Sequence, residues 1–170
     1  PLRGARQAGV LSLKQQIYEQ IRSAGRISRA ALAKALRVSP GSVTPLVSDL
    51  LAADLLREPE NAARHAGRGR PPVTLAVNAQ RGLVAGLKVS DHDYSAVLVD
   101  LAGQPVAGAT LPRAAESRSV ASMLDEVDCL YSRLLCAAGP QMPPVLGAGL
   151  GMPGMVDHAS GRLRWSPIVD

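Results

Sequence analysis

Residues Arg26–Arg57, RISRAALAKALRVSPGSVTPLVSDLLAADLLR, decide how this chain is read. Two short amphipathic helices lie in it, joined by a tight turn. Ser28 is placed to cap the first, because its hydroxyl can accept from the free N–H groups of a helix start. Ala31, Leu32, Ala35 and Leu36 then follow at i, i+1, i+4 and i+5 and predict one apolar face. Arg37-Val38 supplies the turn. Ser39 caps a second helix, with Pro40 at the first position, where a missing N–H costs nothing. Val43, Leu46, Val47, Leu50 and Leu51 recur at three and four residues through Leu55, so this helix also has one buried side. Two helices crossing through so short a turn predict a helix-turn-helix, whose second helix can enter the DNA major groove. The same spacing also fits an ordinary helical hairpin, and charge helps decide between the two.

Residues 1–72 carry 12 Lys/Arg against 5 Asp/Glu, whereas residues 73–170 carry 7 against 9. A basic front and a mildly acidic remainder suggest a polyanion-binding module joined to something else. The total of 170 residues leaves room for one large domain or two small ones. With 46% hydrophobic residues, no Phe and one Trp, packing must rest on Leu, Val and Ala. No apolar run reaches membrane-spanning length and nothing resembles a secretory signal, so no membrane partner is expected and the cytoplasm is the default. Cys129 and Cys136, seven apart in one helical pattern, are read as small core residues. Proline rather than methionine at position 1 suggests that the true start is missing.

Upstream, Leu11–Ala24 predicts a helix, with Leu13, Ile17, Tyr18 and Ile21 on one side and Gly25 as its stop. Downstream, Leu55–Glu58 and the alternating Val73–Val77 bracket a polar segment holding Arg64, Gly67, Arg68, Gly69, Arg70, Pro71 and Pro72. Two short strands with a basic, glycine-rich tip would make a winged helix-turn-helix, its arginines reaching phosphates or the minor groove. A flexible interdomain linker fits the same residues equally well. From Asn78 the character changes. Gly82–Val89, Tyr94–Leu101 and Gln104–Leu111 predict an antiparallel meander, Val120–Ala138 a helix ended by Gly139-Pro140, and Val145–Met152 a further buried strand. That helix is expected to turn Met123, Leu124, Val127, Leu130, Tyr131, Leu134 and Leu135 inward. The expected division is a winged helix-turn-helix over 1–77 and an α/β half-domain over 78–170.

In this order and spacing the chain resembles the ROK family of repressors and sugar kinases. The residues that carry the likeness are the amino-terminal module, Gly67–Pro72 with Leu75 and Asn78, Gly86–Gly103, and GAGLGMPGMVDHASGRLRWS over Gly147–Ser166. The resemblance implies an actin-like, ribonuclease-H-like fold for the second part, present here only as its first portion. It also implies a transcriptional regulator, and more exactly a dimeric repressor on a palindromic operator. Its effector would be a sugar or sugar phosphate, bound near Gly151, Pro153 and Gly154. The alternatives are a sugar kinase with an added module, or a truncated regulator without ligand response.

Departures from the family pattern bear on the choice. Kinases of the family carry an Asp-x-Gly-x-Thr-like phosphate loop where this chain has Lys88-Val89-Ser90-Asp91-His92. Side chains fill the space a phosphate would need, although Lys88 could attract one, and phosphoryl transfer depends on such positioning. No catalytic residue, metal site or cofactor is therefore expected, and His92 and His158 are read as solvated turn residues. Ser166-Pro167 is followed by Ile168, where the family often has an Asn near the sugar. In the second helix, Pro45 removes an interior hydrogen bond at a cost of about 3 kcal/mol and predicts a kink or an irregular first turn. No Lys or Arg occurs between Val38 and Leu56, so paired guanine reading by arginine is not available there. DNA contacts are expected from Ser39, Gly41, Ser42, Thr44 and Ser48, with phosphate attraction from Arg26, Arg29, Arg37, Arg68 and Arg70. The early end at Asp170 would leave a sheet edge uncovered and suggests a fragment of a longer protein.

Overall fold

The structure, a computed structural model, describes residues 11–59, 73–113 and 119–169. They fall into two compact units that meet in sequence between Arg81 and Gly82. In the first, helix α1 (Leu13–Ala24) opens on a capping box in which the Ser12 hydroxyl and Gln15 bond reciprocally. Gly25, at φ 69°, ends it in a conformation that costs a glycine little. A strand of two residues, β1 (Ile27–Ser28), leads into α2 (Arg29–Leu36), whose first turn is capped by the Ser28 hydroxyl on the Ala31 N–H at 3.2 Å. Arg37 closes α2 in the left-handed region, at φ 56° and ψ 40°. After Ser39, α3 (Pro40–Ala52) begins on the expected cap, Ser39 Oγ accepting from the Ser42 N–H at 3.2 Å.

Two expectations need correction here, and a third feature, Pro45, falls inside a continuous helix. The inner face of α2 is Leu32 and Ala33 with Leu36 half-buried; Ala31 and Ala35 are exposed, so the face is turned by about one residue. The second helix runs unbroken through Pro45. The carbonyl that loses its partner belongs to Gly41, and both residues are exposed, so water can satisfy it. Finally, α3 stops at Ala52 rather than Leu55. The chain reverses through Asp54 at φ 57°, with Leu55 N–H returning to the Leu50 carbonyl at 3.0 Å.

Asn78 fixes that reversal from a distance. Its side-chain amide donates to the Asp54 carbonyl and carboxylate at 3.2 and 2.9 Å, and its backbone N–H to the Leu55 carbonyl at 3.0 Å. This sets the entry to β2 (Leu56–Arg57), which pairs antiparallel with β3 (Thr74–Val77). On its other side β3 pairs with β1, in the order β1-β3-β2. Ile17, Ile21, Leu32, Val43, Val47, Leu56 and Leu75 are almost fully buried and form the centre of this unit.

The second unit is a four-stranded sheet in the order β6-β5-β4-β7. Strands β4 (Leu83–Val89), β5 (Asp93–Asp100) and β6 (Pro105–Pro112) form the expected meander. After α4 (Val120–Ala138), β7 (Val145–Gly151) lies parallel beside β4. Alternation decides the faces: Leu83, Ala85, Leu87 and Val89 point under α4, and meet Tyr94, Ala96 and Leu98 from β5 and Met123, Leu130 and Leu134 from the helix. The Tyr94 hydroxyl bonds Glu126 there, and burial, seconded by that carboxylate, holds its pKa above the ordinary phenol value. Arg113 donates to the Ile168 carbonyl and brings the last segment back onto this core.

Burial corrects three further expectations. Strand β7 is exposed beyond Val145, because α4 packs across β4–β6 and nothing among the described residues covers β7. Leu124 is 54% exposed rather than inside. Cys129 and Cys136 are both exposed thiols on the outer side of α4. A small hairpin, β8 (Met155–Asp157) with β9 (Arg162–Trp165), has no counterpart among the expected elements. Met155, Val156, Leu163 and Trp165 are all exposed on it.

Candidate nucleic-acid interface and ligand loop

The helix-turn-helix is set by local chemistry, with Arg37 in the turn and Ser39 at the cap, and its second helix presents one face to solvent. Gly41, Ser42, Thr44, Pro45 and Ser48 are all exposed along it. Most of their hydroxyl hydrogens are already used. Thr44 Oγ1 donates to the Pro40 carbonyl at 2.9 Å and Ser48 Oγ to the Thr44 carbonyl at 3.0 Å. Ser39 and Ser42 share one hydrogen bond at 2.9 Å. The face therefore offers lone pairs, methyl and ring carbon, and few free donors.

The basic residues are less uniform than their charges suggest. Arg26 and Arg37 are exposed. Arg29 instead donates to Glu58 at 2.7 Å, across from the end of β2, in an ion pair whose side chains stay about one-third to two-fifths exposed. Sequence spacing hides that partner, since Glu58 lies 29 residues away. Asp49, on α3, is matched by Lys14 of α1 at 3.2 Å. Arg68 and Arg70 lie outside the described residues.

In the second unit, a cavity of about 300 Å³ opens where the parallel strands β4 and β7 end. Lys88, Ser90, Asp91, Gly151, Met152 and Pro153 border it. Crevices at the carboxyl ends of parallel strands are where α/β sheets hold ligands. Gly151 and Pro153 thus stand at an open site, but Gly154 does not. A Cβ there would fall 2.7 Å from both Leu163 Cδ1 and the Trp165 carbonyl oxygen, so this glycine permits close packing of the hairpin. Ser166 secures the same junction, donating to the Pro153 carbonyl at 2.8 Å and accepting from the Ile168 N–H at 3.3 Å.

Two turns of this unit are closed upon themselves. Ser90 Oγ donates to Asp93 and accepts from the N–H groups of His92 and Asp93 at 3.4 and 3.1 Å, while Ser90 N–H reaches the Asp93 carbonyl. These three amides point inward, and a phosphate could be cradled only by breaking them. His92 is largely exposed beside Asp91, and His158 is exposed. In the hairpin turn, Asp157 accepts from Arg164 at 2.7 Å and from the N–H groups of Ala159 and Ser160. The arginine above all, then those amides, hold its carboxyl below the usual range. A depressed carboxylate supports the fold above its unfolded pKa of about 4 and ceases to do so as the pH falls through its lower folded value. Trp165 fluorescence is accordingly expected to stay level from pH 8 to about pH 5 and to change only in stronger acid. In Asp157→Asn that acid step should be absent.

These features define a small helix-turn-helix unit followed by an α/β unit with an open site at its parallel strand ends. No family model matches the chain. It is similar to the DNA-binding transcriptional dual regulator NagC of Escherichia coli, with 23% identity over 98% of this chain and 41% of that protein. It is 28% identical to a transcriptional regulator of Mycobacterium bovis over 91% of its own length and 35% of that relative's. The chain therefore spans little more than a third of the relatives it matches. Among solved structures it resembles a ROK family transcriptional regulator described as a homologue of the E. coli MLC protein. That likeness has a TM-score of 0.64 at 22% identity and covers 91% of this chain and 38% of the other, and it speaks for the fold. The resemblance to ROK-family transcriptional regulators read from the sequence is borne out by these matches. Among the described residues no helix is long and apolar enough to cross a membrane.

Proposed function

We propose that the chain is the amino-terminal part of a cytoplasmic ROK-type transcriptional repressor that binds duplex DNA as a dimer. In this reading residues 1–77 are a winged helix-turn-helix and residues 78–170 the first portion of an actin-like domain. A sugar or sugar phosphate bound near Gly151 and Pro153 shifts the two DNA-binding units, and both half-sites of a palindrome can no longer be met together. The observation that carries the reading is the α2–turn–α3 unit with its solvent-facing Gly41–Ser48 side, on a chain that matches regulators along nearly its whole length. The self-bonded Ser90–Asp93 turn supports a sensor without phosphoryl transfer. A coupled ATP-consumption assay of the full-length protein with a panel of sugars is expected to stay at background.

The direct test is duplex binding as a function of salt. With Arg26, Arg37, Arg68 and Arg70 on phosphates, four contacts predict a log–log slope near −3.6, or a loss of about a hundredfold between 50 and 200 mM salt. Arg68→Ala with Arg70→Ala should flatten the slope by about 2 and weaken all sequences alike. Glu58→Gln should tighten binding a few-fold, because it removes a negative charge and releases Arg29 from a pair worth about 0–1 kcal/mol. Affinity that ignores salt would overturn the proposal.

A further inference from the structure

The solvent-facing side of α3 carries a base preference that can be read from its own hydrogen bonds. In the major groove guanine shows two adjacent acceptors and cytosine one donor, whereas adenine shows one acceptor and one donor and thymine one acceptor beside its methyl group. Against a guanine a protein needs donors. This helix has no Lys, Arg, Asn or Gln from Val38 to Leu56. Thr44 and Ser48 spend their hydroxyl hydrogens on carbonyls one turn back, and Ser39 and Ser42 have one hydrogen left between them. Guanine placed here would lose water from two acceptors and recover at most one bond. What remains suits adenine, whose single acceptor can take the one hydrogen left between Ser39 and Ser42. The hydroxyl lone pairs can accept from the adenine amino group, and the Thr44 methyl and exposed Pro45 ring can cover the thymine methyl.

We infer that α3 reads A·T pairs, with Thr44 and Pro45 acting as the residues that recognise thymine methyl groups. The inference rests on the DNA-binding reading above and deepens it. Pro45 thereby has a use that offsets its cost in a helix interior.

The test begins with selection from a random duplex library by the full chain at about 50 mM salt. Selected duplexes are then remade with deoxyuridine for thymidine at each position, which removes only the methyl. The expected result is A·T-rich half-sites in which loss of a contacted methyl weakens binding about fourfold, the equivalent of roughly 0.8 kcal/mol for one buried methyl-sized group. The paired substitution Thr44→Ser and Pro45→Ala should bring the thymidine-to-deoxyuridine ratio to one while leaving the salt slope unchanged. Serine keeps the hydroxyl, and alanine favours the helix, so folding is not at stake. Equal binding of both duplexes by the unaltered chain would overturn the inference alone. So would selected guanines whose enrichment disappears in Arg37→Ala, since reading would then come from the turn. Absence of binding to any duplex in dilute buffer would remove the DNA-binding reading together with the inference.

Discussion

Leu32→Ala is expected to remove about 2–5 kcal/mol from the stability of the first unit. Leu32 has no exposed surface and lies in a small core built from Ile17, Ile21, Val43, Val47, Leu50 and Leu56. None of these fully buried side chains is aromatic, and a site so tightly enclosed by aliphatic neighbours is expected to keep the vacated volume as a cavity. Whole domains are stable by only about 5–15 kcal/mol, and small ones sit near the lower end. The substitution should therefore shift urea unfolding, followed by far-ultraviolet circular dichroism, to a markedly lower midpoint. It should also weaken duplex binding by depleting the folded form. Ala31→Ser and Ala35→Ser, on the exposed side of the same helix, should stay within about 0.5 kcal/mol. If those two substitutions proved as damaging as Leu32→Ala, the assignment of the inner face of α2 would be wrong.

Gly154→Ala is the second large effect. The new Cβ would sit 2.7 Å from the Trp165 carbonyl oxygen, and that oxygen is backbone in β9 and cannot rotate away. The hairpin must move as a body, which strains or breaks the Ser166–Pro153 hydrogen bond behind it. Overpacking of this kind costs about 1–3 kcal/mol. Because the strain falls on a two-stranded element, it should appear as local opening before global unfolding. Trypsin cleavage after Arg162 and Arg164 is expected to accelerate about tenfold or more, with a change in the emission of Trp165, the one tryptophan of the chain. Ser166→Ala should act in the same direction, since it leaves the Pro153 carbonyl and the buried Ile168 N–H short of a partner. A hairpin as resistant as the parent's in both variants would show that the junction does not depend on close packing.

Helices α1–α4 and the meander were legible because their signals are local. Ser12, Ser28, Ser39 and Ser119 cap within three residues, Gly25 and Gly139 stop their helices by backbone freedom, and strict alternation marks β4. The two-residue strand β1 carries no period at all and exists only because β3 is beside it. The partners that hold the tertiary structure together are likewise remote. Glu58 is 29 residues from Arg29, Asn78 is 24 from Asp54, and Ile168 is 55 from Arg113. The exposed thiols and the open β7 show a related limit. A helical or alternating pattern predicts that one face is apolar, but how far a neighbouring element extends over it is a matter of assembly.

Residue order alone was enough to predict two capped helices joined by a short turn and a basic front, since each depends on neighbours in the chain and on charge. Which hydroxyls remain free, which arginine is already paired and why Gly154 must be glycine were settled by the fold. Those properties depend on distances between residues far apart in sequence, and only packing brings them together.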